Sequence, residues 1–189
     1  MEELLVAYIK EKIEVSDAEM DLILSYFKPI RLKKNEILIA QGETSQRTYF
    51  VAKGCLRIFF INEEGQDSTR YFAFENNLAT ALVSFINDEP SEESIQAVED
   101  SEILYISHAN FYELLALVPQ WEKFYRKYLE FAYVTNTNRL MSFLTKDAVK
   151  KYRQLLQENP VIVRRLSSKL VASYLNISRE TLSRVKAKA

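Results

Sequence analysis

SKLVASYLNISRETLSRVK, residues 168–186, is the stretch that decides the fold of the C-terminal part of the chain. Apolar residues recur in it at helical spacing on two short segments, so they can share one small core. These residues are Val171, Leu175, Ile177, Leu182 and Val185. Ala172 falls where two helices would cross, and its small side chain permits a close approach. The pattern predicts a helix-turn-helix.

The residues between the two segments support the same prediction. A chain that turns sharply after Leu175 needs a residue that tolerates a positive φ, and Asn176 is the best choice after glycine. Ser178 can cap the second helix, and Glu180 complements the positive end of that helix. The alternative is an ordinary helical hairpin with a solvated charged face.

The second helix presents a polar face opposite its apolar residues. That face carries Arg179, Glu180, Ser183 and Arg184. Arg can pair with the guanine edge, Glu can accept from the cytosine amino group, and recognition helices contact bases with their N-terminal residues. We therefore predict that these four side chains contact DNA bases.

The formal net charge of −1 conceals an uneven distribution along the chain. Residues 1–145 hold 14 Lys and Arg against 23 Asp and Glu, whereas residues 146–189 hold 11 against 3. A basic module on an acidic body is typical of nucleic-acid binding. The predicted contacts with DNA phosphates are Arg164, Arg165, Lys169, Lys186 and Lys188.

The composition limits the remaining possibilities. The 48% of apolar residues in 189 is enough for a folded core, and no apolar run or cleavage site predicts a membrane span or a signal peptide. Cys55 is the only cysteine, which excludes an intrachain disulfide and a four-cysteine metal site within one chain. His108 is the only histidine. We expect a cytoplasmic protein without a metal, a cofactor or catalytic residues.

The first half of the chain predicts short helices followed by a small antiparallel barrel or roll. Residues 3–28 have helical periodicity with a second start at Ser16, and short alternating apolar runs begin at Ile30. Gly42, Gly54 and Gly65 stand between these runs as turn residues.

Two segments resemble one known family. ISRETLSR, residues 177–184, resembles the recognition-helix signature of the Crp/Fnr family of bacterial transcription regulators, and residues 33–60 resemble the cyclic-nucleotide-binding β-roll. The resemblance implies that Arg179, Glu180 and Arg184 are the base-contacting residues. The chain differs from the family in having Asn176 where Gly is usual, and in ending before the usual β-hairpin wing.

The resemblance also implies the architecture. We expect an α+β fold in which an N-terminal antiparallel β-roll of the cyclic-nucleotide-binding, jelly-roll type with flanking helices precedes a long dimerisation helix and a helix-turn-helix. The expected domains are a sensor domain over residues 1–118, the long helix over residues 119–145, and a DNA-binding domain over residues 146–189.

The ligand-binding segment of that roll departs from the family pattern in residues 72–100. Glu75 is present, but Phe74 replaces the glycine before it, and Ser91 stands at the position of the phosphate-binding Arg. Two carboxylates, Glu92 and Glu93, follow and would repel a phosphate. We therefore expect an effector other than cyclic AMP. The candidate pocket residues are Glu75, Ser91 and Thr135.

The long helix carries an apolar seam that becomes polar half-way along. The seam comprises Trp121, Phe124, Tyr128 and Phe131, followed by Thr135, Asn138 and Ser142. It can pack against a second copy, against the chain's own roll, or against both. The run from Thr135 to Asn138 can set the dimer register or face a pocket.

These patterns together predict a homodimeric, sequence-specific transcription regulator that is not an enzyme. The expected partners are double-stranded DNA with an inverted-repeat operator, RNA polymerase and an unknown small-molecule effector, with no membrane. One alternative is a cyclic-nucleotide-like binding module that acts through protein contacts. Another is a cupin-like enzyme, but that would need a cluster of His and carboxylate ligands.

Overall fold

Two four-stranded sheets build the roll in a computed structural model of the protein, which describes residues 1–188. Their strand orders are β1-β8-β3-β6 and β2-β7-β4-β5, and the pairings are antiparallel. The strands are β1 Lys28–Leu32, β2 Ile37–Ile39, β3 Arg47–Lys53, β4 Leu56–Ile61, β5 Asp67–Ala73, β6 Asn77–Ala79, β7 Ser94–Ala97 and β8 Ser101–Ser107. The predicted α+β class with an antiparallel roll is confirmed.

Helices flank the roll and make up the C-terminal part of the described chain. They are α1 Glu2–Lys12, α2 Asp17–Ser25, α3 Leu82–Asn87, α4 His108–Leu117, α5 Pro119–Thr145, α6 Ala148–Glu158, α7 Pro160–Arg165, α8 Ser168–Leu175 and α9 Arg179–Lys186. Side-chain caps start several of them where the sequence predicted. Ser16 forms a capping box with Glu19, and Ser107 and Asp147 accept hydrogen bonds from the first turns of α4 and α6.

The described chain divides into two compact units. The first comprises Met1–Phe60 and Phe72–Leu129, and the second comprises Ile61–Tyr71 with the chain from Glu130 onward. The sequence placed boundaries after residues 118 and 145, whereas the structural division falls within α5. The reason is that each half of this helix packs with different partners. The second unit also recruits the end of β4, the following turn and the start of β5.

The core of the first unit explains the N-terminal half of α5. Trp121 is fully buried and stacks on Phe124 at a centroid distance of 4.4 Å. Trp121 also meets Phe27 and Phe111, which lie in the same apolar cluster as α1 and α4. This part of the predicted seam therefore packs against the chain's own roll. Phe131, which is 51% exposed, lies beyond that core.

One glycine in the roll is fixed by a close approach. Gly54 has φ of +100°, and a Cβ built there would lie 2.2 Å from Ser101 Oγ. Its backbone N–H donates to Glu75 Oε1 at 2.8 Å. The turn between β3 and β4 therefore requires glycine for both conformation and space.

Candidate nucleic-acid interface

Helices α8 and α9 form the predicted helix-turn-helix in the second unit. Its apolar core contains Val171, Ala172, Leu175, Leu182 and Val185, and all of them are at least 96% buried. Ile177 in the turn is half-buried. The burial of Ala172 agrees with its predicted place at a helix crossing. The sequence pattern therefore identified this core correctly.

The turn between the two helices has the conformation that the sequence predicted. Asn176 lies in the left-handed region, with φ of 52° and ψ of 51°. The next backbone N–H, that of Ile177, donates to Ala172 O at 3.1 Å and satisfies a carbonyl of the last turn of α8. Ser178 then caps α9 by accepting from Thr181 N at 3.1 Å. Because both ends are satisfied, α9 starts at a defined angle to α8.

The exposed face of α9 carries the four side chains predicted to contact bases. Arg179, Glu180, Ser183 and Arg184 are all exposed. Arg184 donates from Nη2 to Thr181 Oγ1 at 3.1 Å, so its guanidinium lies along the helix surface toward the N-terminal turn. Hydrogen bonds from the Glu180 backbone N–H and from Ser178 hold the pKa of Glu180 below its ordinary value. Glu180 is therefore an ionised acceptor at neutral pH.

The five predicted phosphate-contacting residues are also exposed. Arg164 and Arg165 end α7, Lys169 lies in the first turn of α8, and Lys186 ends α9 just before Lys188. Lys186 Nζ donates to Ser168 Oγ at 3.1 Å, which joins the end of α9 to the start of α8. The basic side chains therefore lie at helix ends around the exposed face of α9.

Strand β5 holds the first helix of the helix-turn-helix through Ser173. Thr69 N donates to Ser173 Oγ at 2.9 Å, and the hydroxyls of these two residues lie 2.8 Å apart. Ser173 Oγ also lies 2.8 Å from Asp67 Oδ1. The start of β5 thus forms part of the helical unit, although it is remote from it in sequence.

Arg139 of α5 joins the same three elements and was not identified from the sequence. Its Nη2 donates to Thr69 O at 2.5 Å and to Tyr174 O at 2.7 Å. The guanidinium also lies over the rings of Phe143 and Tyr174, at 4.7 Å and 4.1 Å from their centroids. The only signal in the sequence was the polar run that precedes Arg139, and it did not distinguish this arginine from a surface one.

A cavity of about 210 Å³ lies among α5, α6 and the end of α8. Thr135 and Asn138, from the polar run of the sequence analysis, line this cavity together with Arg139, Ser142 and Lys151. Of the two interpretations of that run, the structure supports the one in which it faces a pocket.

The other two candidate effector residues belong to the first unit, where each binds backbone at a different turn. Glu75 accepts from Gly54 N, as described above. Ser91 is 96% buried, its Oγ accepts from Glu93 N at 3.0 Å, and its carbonyl accepts from Gly42 N at 2.7 Å. The structure therefore does not bring Glu75, Ser91 and Thr135 together in one site. Each of the first two has a local structural partner.

Two searches of residues 1–188 bear on the excluded classes. No group of three or more His, Cys, Asp or Glu residues in this range is placed to hold a metal ion. Of the helices in this range, none has the length and apolarity needed to cross a membrane.

Comparison with known proteins agrees with this geometry. Residues 29–117 match the model of the cyclic nucleotide-binding domain family, so the roll is a domain of that class. Over 101 residues the chain is 30% identical to the cyclic AMP receptor protein of Thermus thermophilus. That match covers 53% of this chain and 46% of the relative, so it spans about half of the curated protein's length.

Solved structures extend the similarity across most of the chain. A c-di-GMP-responsive global regulator of Xanthomonas campestris, CLP, superposes with a TM-score of 0.75 at 15% identity, covering 92% of this chain and 91% of that one. A candidate Crp/Fnr-family regulator from Eubacterium rectale has a TM-score of 0.73 at 18% identity, covering 90% and 82%. The resemblance to Crp/Fnr regulators is therefore confirmed, in sequence over the roll and in fold over most of the chain.

Proposed function

We propose that the protein is a sequence-specific DNA-binding transcription regulator of the Crp/Fnr type. The observation that carries the proposal is the helix-turn-helix itself, with the αL conformation of Asn176 and the exposed side chains of Arg179, Glu180 and Arg184 on one helix. A helix of this kind enters the major groove and contacts base edges from its N-terminal half. The basic residues at the surrounding helix ends supply attraction to the phosphates.

A homodimer is part of the proposal, and exposed apolar side chains of α5 support it. Val134, Met141 and Leu144 are 54%, 52% and 72% exposed, and their positions fit a heptad seam in which Thr137 is the fourth member. This seam lies later in the helix than the one expected from the sequence, because Trp121 and Phe124 are occupied in the core of the roll. A second copy of the same helix would cover these side chains, and a two-fold dimer would match an inverted-repeat operator.

The effector is proposed to be a molecule other than cyclic AMP. Ser91 stands where a cyclic-nucleotide-binding roll has its phosphate-binding Arg, and its hydroxyl is already committed to the Glu93 backbone. Glu92 is exposed beside it, which adds negative charge to this segment. These features disfavour binding of a cyclic phosphate.

The remaining parts of the proposal follow from the class of the relatives. A regulator of this type has no catalytic residues, acts in the bacterial cytoplasm where the DNA lies, and contacts RNA polymerase when it is bound at a promoter. The alternative of a module acting through protein contacts would leave the exposed arginines of α9 without a role.

Selection from a random pool of double-stranded DNA tests the proposal. We expect enrichment of an inverted repeat whose half-sites lie about one helical turn, roughly 34 Å, apart. The control is the Arg179→Ala/Arg184→Ala double variant, which should enrich no sequence although it retains weak, salt-sensitive binding. Absence of any enriched motif with the wild-type protein, in the presence of a cell extract as an effector source, would contradict the proposal.

A further inference from the structure

The cavity among α5, α6 and the end of α8 carries more positive charge than its surroundings compensate. Arg139 and Lys151 both line it, and both lie about 4.7 Å from the centroid of the Phe143 ring. Within residues 1–188, no carboxylate forms an ion pair with either cation. Glu158 is the carboxylate on the cavity wall, and both of its oxygens accept from Gln154 Nε2, at 3.0 and 2.9 Å.

The position of Arg139 makes this imbalance costly. Its hydrogen bonds go to two neutral backbone carbonyls, and a second guanidinium, that of Arg70, is close enough to affect it electrostatically. Burial, and to a smaller extent Arg70, lower the pKa of Arg139 below its ordinary value, while Tyr174 acts in the opposite direction. A partly buried cation without a counter-ion is destabilising, and an anion in the same cavity would relieve that cost.

The rest of the wall suits a small organic molecule. Phe143 and Tyr174 supply aromatic surface, and Thr135 and Asn138 supply polar groups that make no hydrogen bond within the described chain. At about 210 Å³ the cavity is below the roughly 300–1,000 Å³ of sites for drug-sized ligands. Its occupant should therefore be small.

We propose that this cavity binds a small organic anion, whose carboxylate or phosphate group is held by Arg139 and Lys151. The guanidinium offers paired N–H donors to either group, and the Lys ammonium supplies a second positive charge from the opposite helix. The anion would join α5 to α6 next to the last residues of α8, Tyr174 and Leu175.

This inference goes beyond the proposed function, because the binding step needs no DNA. A consequence for DNA affinity would follow only if the chain is a DNA-binding regulator, since the cavity adjoins the helix that precedes the turn. Ligand binding and DNA binding are therefore measured separately.

Titration calorimetry of the full-length protein without DNA tests the proposal. The probes are succinate for the carboxylate group, glycerol 3-phosphate for the phosphate group, and putrescine as a cation of similar size. We expect one of the two anions to bind the wild-type protein with a dissociation constant of about 1 mM or tighter, and putrescine not to bind. The anion that binds identifies the group that the cavity prefers.

Two variants locate the binding. Lys151→Gln should weaken the anion about tenfold or more, whereas Lys150→Gln, on the same helix but outside the cavity wall, should leave its affinity unchanged. Asn138→Leu places an apolar side chain on the exposed side of the cavity and should also abolish binding. Circular dichroism of each variant shows that it is folded. The proposal is overturned if neither anion binds the wild-type protein, or if Lys151→Gln and Asn138→Leu bind it as tightly as Lys150→Gln does.

Discussion

The hydroxyls of Thr69 in strand β5 and Ser173 in helix α8 lie 2.8 Å apart, separated by 104 positions in the chain. Thr69 is fully buried, and Ser173 receives a second hydrogen bond from the Thr69 backbone N–H. This contact fixes the first helix of the helix-turn-helix against a strand, so that the position of α8 depends on residues outside the C-terminal stretch.

Replacing Ser173 with Ala should destabilise the helical unit. The change leaves the buried Thr69 N–H without a partner, and such a loss costs about 1–3 kcal/mol. Ser183→Ala is the matched control, because Ser183 lies on the exposed face of a neighbouring helix and should change stability by less than about 0.5 kcal/mol. Urea denaturation measures both. Equal effects of the two substitutions would show that the Ser173 contact is energetically unimportant.

The backbone at Asn176 predicts opposite outcomes for two substitutions. Glycine adopts φ of 52° without strain, so Asn176→Gly should be neutral or slightly stabilising. Asn176→Val should cost about 1–2 kcal/mol, because a β-branched side chain is disfavoured in the left-handed region. The midpoints of urea denaturation distinguish them. The conformation assigned to this turn would be refuted by a valine variant as stable as the glycine variant.

Two arginine and lysine substitutions should separate base contacts from phosphate contacts. Arg184→Ala should lower affinity for the best operator by about 1–3 kcal/mol and relax the preference at one or two base pairs. Lys188→Ala should weaken all sequences about equally and reduce the salt slope by about one unit per subunit. Binding curves on a set of operator variants at several salt concentrations provide the comparison. A uniform loss with Arg184→Ala would mean that Arg184 touches only phosphate.

The exposed seam of α5 predicts the oligomeric state. Two chains of 22.1 kDa should sediment together at about 44 kDa. Met141→Glu places a charge in the seam and should give a monomer, whereas Val83→Glu, at a 66% exposed position in the first unit, should leave the dimer intact. Analytical ultracentrifugation at micromolar concentration decides the point. A wild-type monomer with and without DNA would refute the dimer.

Glu180 should titrate below its ordinary pKa of 4.5, because its own backbone N–H and then the Ser178 hydroxyl stabilise the carboxylate. A lowered folded-state pKa means that this contribution to stability is present above the unfolded pKa and is lost as the pH falls through the folded pKa. Ser178→Ala should raise the Glu180 pKa toward 4.5 without reaching it, since the backbone contact remains. NMR titration of the Glu180 carboxyl in both proteins tests this, and identical pKa values would exclude the role of Ser178.

Local chemistry explains how much of this structure could be predicted from the sequence. Asn176, Ser178 and the spacing of Val171 and Leu175 act within a few residues of one another, so the pattern alone predicted the turn and the core of the helix-turn-helix. The same holds for the strands of the roll and for the cap at Ser107. In each case the physical cause lies inside the segment that it shapes.

Long-range pairing explains what the sequence could not predict. The contacts of Arg139 with Thr69 and Tyr174 join residues 70 and 35 positions apart, and no periodicity connects them. The apolar seam of α5 shows the same limit. Its spacing was visible, but whether Trp121 would meet a second copy or its own roll depended on α1, α2 and α4 closing around it.

The recruitment of Ile61–Tyr71 by the second unit has a practical consequence for dissecting the protein. A fragment beginning at residue 146 retains α8 and α9 but lacks Arg139, Thr69 and Asp67, so the hydroxyl of Ser173 and the carbonyl of Tyr174 lose the partners that order them. A fragment beginning at residue 130 restores Arg139 alone. The DNA-reading module is thus discontinuous in the gene, and a working minimal version requires grafting the turn of residues 61–71 onto the C-terminal helices.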